Sequence, residues 1–281
     1  MPEESITSAQ NPSIKQAISL RDAKARREAR LTLIDGVREI YRAHDAGVEI
    51  DKVFVCPSLF GGGDELHLLG VLKQQRVKIV EVIESVFEKI TFGQRMEGLL
   101  AVSHIPQRSL SDLKPSGQSL YVIAQGLEKP GNIGAILRTC DAAGIDGLLL
   151  VDTKTDLYNP NVIRASTGTV FSVPTAIADE GAILDFLNRY KIRTWGLLPQ
   201  SDNNYTQADL TGPMAIVLGS EDKGLSDFWR QHLDGDIKIP MKGKADSLNV
   251  SVCAAIVIYE ALRQRASVQI QPIMRRSAKK F

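Results

Sequence analysis

Residues 237–265 read IKIPMKGKADSLNVSVCAAIVIYEALRQR, and how this stretch is read decides the fold of the chain around it. Ile237 and Ile239 form a short β-type run, ended by Pro240, which has no backbone N–H to give to a ladder. A loop with Lys242, Gly243 and Lys244 follows, and from Val250 to Ala261 the chain is apolar almost all round, the pattern of a helix buried on most faces. Ser247 and Asn249 stand just ahead of that run, where a side-chain oxygen caps the free N–H groups of a helix start. Spacing alone reads them first as caps. A helix start also carries partial positive charge, so Ser247-Leu248-Asn249 is placed to receive an anionic or polar ligand group as well.

The length, 281 residues, with 43% hydrophobic and 24% charged, is ordinary globular composition for one large or two ordinary domains. A net charge of +1 rules out a global electrostatic argument for nucleic acid, but the distribution is uneven. Lys15, Arg21, Lys24, Arg26, Arg27 and Arg30 lie close together against only Asp22 and Glu28. After Glu260 there is no acid, but there are Arg263, Arg265, Arg275, Arg276, Lys279 and Lys280. Two basic segments suit a polyanion, though each also reads as a solvated helix face or a frayed tail. Cys56, Cys140 and Cys253 are far apart, as reduced thiols of a cytoplasmic protein would be. The four histidines share no ligand spacing with them, so no metal site is expected. MPEESITSAQNPS lacks the apolar core of a signal peptide, and no apolar run is long enough to span a membrane.

In chain order, residues 15–45 read as helix, with Gly36 splitting it or marking a short strand at 31–34. Strands are expected at 52–56, 78–82 and 98–102, and a helix at 65–75, giving a small α/β domain over 1–106. Residues 107–118, rich in Pro, Ser and Gly, read as a linker. Beyond it, apolar strands at 120–124, 148–151, 171–173, 194–198 and 214–218 alternate with helices near 133–143, 182–190 and 225–233 over a domain at 119–267, with a basic tail at 268–281. Fully apolar short strands between helices mean a parallel sheet covered on both faces.

Open sheets of this kind hold ligands in loops at the carboxyl ends of their strands. One such loop, Leu127 to Gly134, opens the helix that carries Arg138, but its glycines miss the dinucleotide spacing. A second, Gly219-Ser220-Glu221-Asp222-Lys223-Gly224-Leu225-Ser226, has P-loop glycine spacing, yet Leu225 stands where the phosphate-gripping lysine belongs. That speaks against a nucleotide-binding protein. The third loop is the opening stretch.

Taken together, N-x-G-A-I-x-R-T (Asn132 to Thr139), L-G-S-E-x-x-G (Leu218 to Gly224) and I-P-M followed by S-L-N-V-S-V (Ile239 to Met241, Ser247 to Val252) resemble the SpoU/TrmH family of the SPOUT superfamily, RNA ribose 2′-O-methyltransferases. The resemblance is strong over 120–265. It continues more weakly into the first domain, which resembles the family's L30e-like RNA-binding domain, although Asp35 stands where the family usually has Glu. It implies an α/β chain whose parallel sheet ends in a deep C-terminal trefoil knot, a fold that patterning alone would not give. It also implies a homodimer through the knotted domain, with catalytic parts crossing the interface.

By the same resemblance, Gly219, Ile239 and Leu248 bind S-adenosylmethionine, while Arg138, Asn132, Glu221, Ser247 and Asn249 form the catalytic set. Asn132 and Asn249 would orient Arg138 and the ribose, and Glu221 would hold the loops in register. A guanidinium does not deprotonate in a protein, so Arg138 reads as a clamp for the adjacent phosphate and the developing alkoxide. Lys15, Arg26 and Arg30 are the candidate RNA contacts. A separate N-terminal domain favours 23S rRNA; a tRNA enzyme, an antibiotic-resistance methyltransferase and a non-catalytic RNA-binding protein are the alternatives.

Overall fold

The computed structural model describes residues 5–92 and 96–277, with side chains over 6–92 and 96–266. The side chains of Arg275, Arg276, Lys279 and Lys280 in the basic tail lie outside the described residues. Two compact units emerge, Met1–Gln107 with Thr155–Ser172, and Arg108–Lys154 with Val173–Phe281.

In the first unit the chain runs β1 (Ser5–Ile6), α1 (Pro12–Ser19), α2 (Ala23–Ala29), β2 (Leu31–Asp35), α3 (Val37–Asp45), β3 (Ile50–Val55), α4 (Asp64–Gln74), β4 (Lys78–Val82), α5 (Glu84–Ile90) and β5 (Leu99–His104). The sheet order is β1-β4-β3-β5-β2, with β1, β4 and β3 parallel and β5 antiparallel to both β3 and β2. The expected helix over 15–45 is therefore three helices and a strand. Asn11 caps α1 and Asp22 caps α2 with side-chain oxygens, Arg30 ends α2 in the left-handed region at φ 55°, and Gly36 turns the chain at φ 113°. Residues 31–35 are buried on both faces, which hides the alternation that marks a strand.

Arg26 is a correction. It is 1% exposed, and its Nε and Nη2 donate to Asp156 Oδ2 at 2.8 and 2.5 Å while Nη1 donates to the Leu20 and Arg21 carbonyls. Four of its five N–H groups are engaged, and a side chain buried this far presents none to a phosphate. Tyr158 likewise accepts from the Thr32 hydroxyl at 2.6 Å, so residues 155–172, including α7 (Pro160–Ala165), are tied into this unit. Arg26→Ala would leave the Asp156 carboxylate without its partner and is expected to cost about 3 kcal/mol of stability in denaturant unfolding. Lys15→Ala and Arg30→Ala, at exposed positions, are expected to unfold within about 0.5 kcal/mol of the wild type in the same measurement.

The second unit runs β6 (Leu120–Gln125), α6 (Pro130–Ala143), β7 (Gly147–Val151), β8 (Thr175–Ile177), α8 (Glu180–Tyr190), β9 (Arg193–Leu197), β10 (Met214–Leu218), α9 (Asp227–His232), β11 (Gly235–Ile237) and α10 (Val250–Ser277). Its six strands lie in the order β11-β9-β10-β6-β7-β8, all parallel. Tyr121, Ile123, Leu149 and Val217 point to one face and pack with Ile183, Leu187 and Trp229 of α8 and α9. Their alternate neighbours are equally buried on the other face, where α6 and α10 pack. The strand expected at 171–173 is instead a run of turns: Phe171 N–H donates to Gly168 O and Ser172 N–H to Thr169 O. Phe171 stacks on Tyr158, and the strand forms only past Pro174.

Candidate active site

A cavity of about 480 Å³ opens at the carboxyl ends of β9, β10 and β11, where a parallel sheet exposes its loops. Its apolar wall is Leu197, Leu218, Ile239, Leu248, Val250 and Cys253; Glu221, Lys223, Arg230, Asp246, Ser247 and Asn249 supply polar groups. Gly219, Ile239 and Leu248, the expected cofactor residues, all line it, as do Glu221, Ser247 and Asn249. Between Met241 and Val250 no backbone N–H donates to another described residue, so the loop presents a row of donors to solvent or a ligand. The volume, the apolar wall and these few polar groups are what a small-molecule site requires.

Asn132 is the hub that joins the three loops. It sits in the first turn of α6, 8% exposed, where Pro130 at the helix start dispenses with one of the N–H groups that need a cap. Its Nδ2 donates to Glu221 Oε1, which ties the β10 loop to α6. Its Oδ1 accepts from Asn249 Nδ2 at 3.1 Å, which ties in the loop before α10. Asn249 Oδ1 in turn accepts the Ser251 N–H at 2.9 Å and its hydroxyl at 2.7 Å, so the Asn249 amide is fixed as helix cap and bridge together. Lys129 Nζ pairs with Glu221 Oε2 at 2.5 Å, and the hydrogen bond and charge of that carboxylate push the lysine above its usual range. The Cys253 thiol lies 3.7 Å from the Leu248 carbonyl, and burial raises its pKa, keeping it a neutral wall residue.

Gly219 lines the cavity and also lets its own loop close. A Cβ there would lie 2.1 Å from the Gly224 carbonyl carbon and 2.4 Å from the Leu225 nitrogen, so the missing side chain makes room for the returning loop. Ser220 and Gly224 then exchange both backbone hydrogen bonds at 3.0 Å. Ser247 is exposed at the cavity rim and caps nothing; Asn249 is the cap.

Arg138 lies on the exposed side of α6, outside the cavity wall, with no hydrogen bond or ion pair among the described residues. The expectation that Asn132 and Asn249 orient it finds no contact, because those amides satisfy each other, Glu221 and Ser251. Sequence reasoning also missed Lys129, Arg230 and the loop from Leu198 to Gln200. The strand ending at that loop was legible, and the rule placing ligands at strand ends covers it.

The SpoU rRNA Methylase family model matches residues 119–259, and the MRM3-like substrate binding domain model matches residues 11–101. A 23S rRNA (guanosine-2′-O-)-methyltransferase of Xylella fastidiosa is 32% identical over 234 residues, 79% of this chain and 94% of that protein. The 23S rRNA (uridine(2479)-2′-O)-methyltransferase of Streptomyces viridochromogenes is 30% identical over 244 residues, 84% of this chain and 83% of that protein. A crystal structure of an RNA 2′-O ribose methyltransferase superposes with a TM-score of 0.83 at 41% identity, covering 93% of this chain and 99% of the other. An AdoMet-bound rRNA methyltransferase of Sinorhizobium meliloti superposes at 0.84 with 27% identity, covering 92% of this chain and 97% of the other. With the two units, the parallel sheet and the cavity at its strand ends in place, this chain belongs to the SpoU rRNA methylase family.

Proposed function

We propose that this chain transfers a methyl group from S-adenosylmethionine to a ribose 2′-hydroxyl of 23S rRNA. The observation that carries this is the Asn132–Glu221–Asn249 bridge, which ties two loops lining one ligand-sized cavity to the start of α6, in a chain whose relatives are rRNA 2′-O-methyltransferases. The cofactor, when bound, supplies an electrophilic methyl group. The chain has to position the two reactants and stabilise the charge on the attacking oxygen. Leu197, Leu218, Ile239, Leu248 and Val250 would keep water from the cofactor, and the backbone donors before α10 would hold its polar edges. Ser247 and Asn249 would border the ribose, and Arg138 would clamp the neighbouring phosphate through its paired N–H groups.

On α10, Val252, Ala255, Ile256 and Tyr259 form an apolar stripe at helical spacing that is exposed or half-buried, while Ala254, Val257, Ile258 and Ala261 fill the core. That stripe supports a homodimer formed through this unit, with the neighbouring α6 bringing Arg138 of one copy to the cavity of the other. The threading of the stretch before α10 into a trefoil knot, the RNA contacts of Lys15 and Arg30, and work in the cytoplasm belong to the same proposal. Among the described residues no helix is long and apolar enough to cross a membrane, and no cluster of His, Cys, Asp and Glu could hold a metal ion.

The test is transfer of labelled methyl from S-adenosylmethionine to 23S rRNA fragments, followed by nuclease digestion and mass mapping. One 2′-O-methylated nucleotide, missing from a strain that lacks the protein, is expected. Binding of rRNA with no affinity for S-adenosylhomocysteine would replace the enzyme with a non-catalytic RNA-binding protein.

A further inference from the structure

We propose that Arg230 binds the amino-acid carboxylate of the cofactor and so sets the chain's preference for S-adenosylmethionine over related adenosyl compounds, an inference that rests on the cofactor reading above. Arg230 projects from α9 into the cavity beside Lys223 and Gly224. Its Nε donates to the Leu225 carbonyl at 3.0 Å, which fixes the plane of the guanidinium. The two terminal nitrogens have no hydrogen bond or ion pair among the described residues. A guanidinium held at Nε with its far end free is prepared for a planar carboxylate, with little side-chain freedom left to lose on binding.

The other charges around the cavity sharpen the assignment. Glu221 is committed to Asn132 and Lys129, so it does not neutralise Arg230. Asp246 lines the same cavity without a salt bridge among the described residues and suits the cofactor's α-ammonium group. Lys223 is the other cation in the wall; both it and Arg230 are exposed, but no hydrogen bond among the described residues holds the Lys223 ammonium, whereas Arg230 is held at Nε. An arginine and an aspartate, each without an ion-pair partner in one small cavity, match the two ends of an amino acid.

The experiment is calorimetry on the full chain with S-adenosylmethionine and with decarboxylated S-adenosylmethionine, which differ only in the carboxylate. The wild type is expected to bind S-adenosylmethionine about tenfold to a hundredfold more tightly, the range of a charge-assisted hydrogen-bond pair. Arg230→Ala should lose that factor for S-adenosylmethionine alone, bringing the ratio near one. Arg230→Lys keeps the charge without the fork and should give an intermediate ratio, a second reading should the alanine variant fold poorly. Equal weakening of both compounds would make Arg230 a brace for Leu225 and overturn the assignment. So would an unchanged ratio accompanied by weaker RNA binding. A wild type that binds neither compound would instead remove the cofactor reading and this assignment with it.

Discussion

Arg138→Ala is expected to slow methyl transfer by about 10²- to 10³-fold while leaving the Kd for S-adenosylmethionine within a factor of about two. The side chain is exposed on α6, outside the cofactor cavity and without a partner among the described residues, so its removal leaves the cavity wall intact. On the proposed role, what is lost is a cation that stabilises charge as the 2′-oxygen attacks. Because a guanidinium stays protonated, Arg138→Lys should recover part of the rate and keep the shape of the pH–rate profile. Loss of the basic limb in that variant would make the arginine a general base and refute the clamp. The proposed dimer adds a second outcome. Mixing the Arg138→Ala chain with a chain disabled at Glu221 should restore activity, since one site of the mixed dimer joins an intact cavity to an intact arginine. A mixture as inactive as its parents would place Arg138 in the site of its own chain.

Most of the second unit could be read from the sequence because its central strands β6, β7 and β10 are short, almost wholly apolar and separated by helices, the mark of a doubly covered parallel sheet. The site residues were legible for a different reason: their motifs resemble a family, whereas spacing alone read Asn249 first as a cap. That plainer reading holds in part, since Asn249 is the cap of α10 as well as a bridge. Arg26 shows where local reading fails. In a basic run it looks like its neighbours, and only the fold supplies Asp156, far along the chain, to bury it. The same long-range pairing pulls residues 155–172 out of the βα alternation and turns the expected strand at 171–173 into packing against Tyr158. Leu113 makes the converse point, an apolar residue of the expected linker that is buried in the second core. Composition reports what a segment can do in water, whereas these outcomes depend on partners that sequence separation hides.

Gly219→Ala is expected to abolish measurable cofactor binding and to cost about 3 kcal/mol of stability in denaturant unfolding. The added methyl would collide with the Gly224 and Leu225 backbone, which cannot turn aside as a side chain can. To make room, the loop must open, breaking the paired hydrogen bonds of Ser220 with Gly224 and drawing Glu221 away from Asn132 and Lys129. Gly117→Ala is the control, because nothing lies within 4 Å of its added methyl, its backbone is outside the left-handed region and it is not in the cavity wall. That variant should bind the cofactor normally and unfold within about 0.5 kcal/mol of the wild type. Normal binding by Gly219→Ala would mean that the β10 loop relaxes freely and that the cavity owes its shape to the stretch before α10 alone. Loss of binding with stability intact would instead assign Gly219 to direct approach of the ligand. Only the combined loss supports a loop whose tight return holds Glu221 against the hub at Asn132.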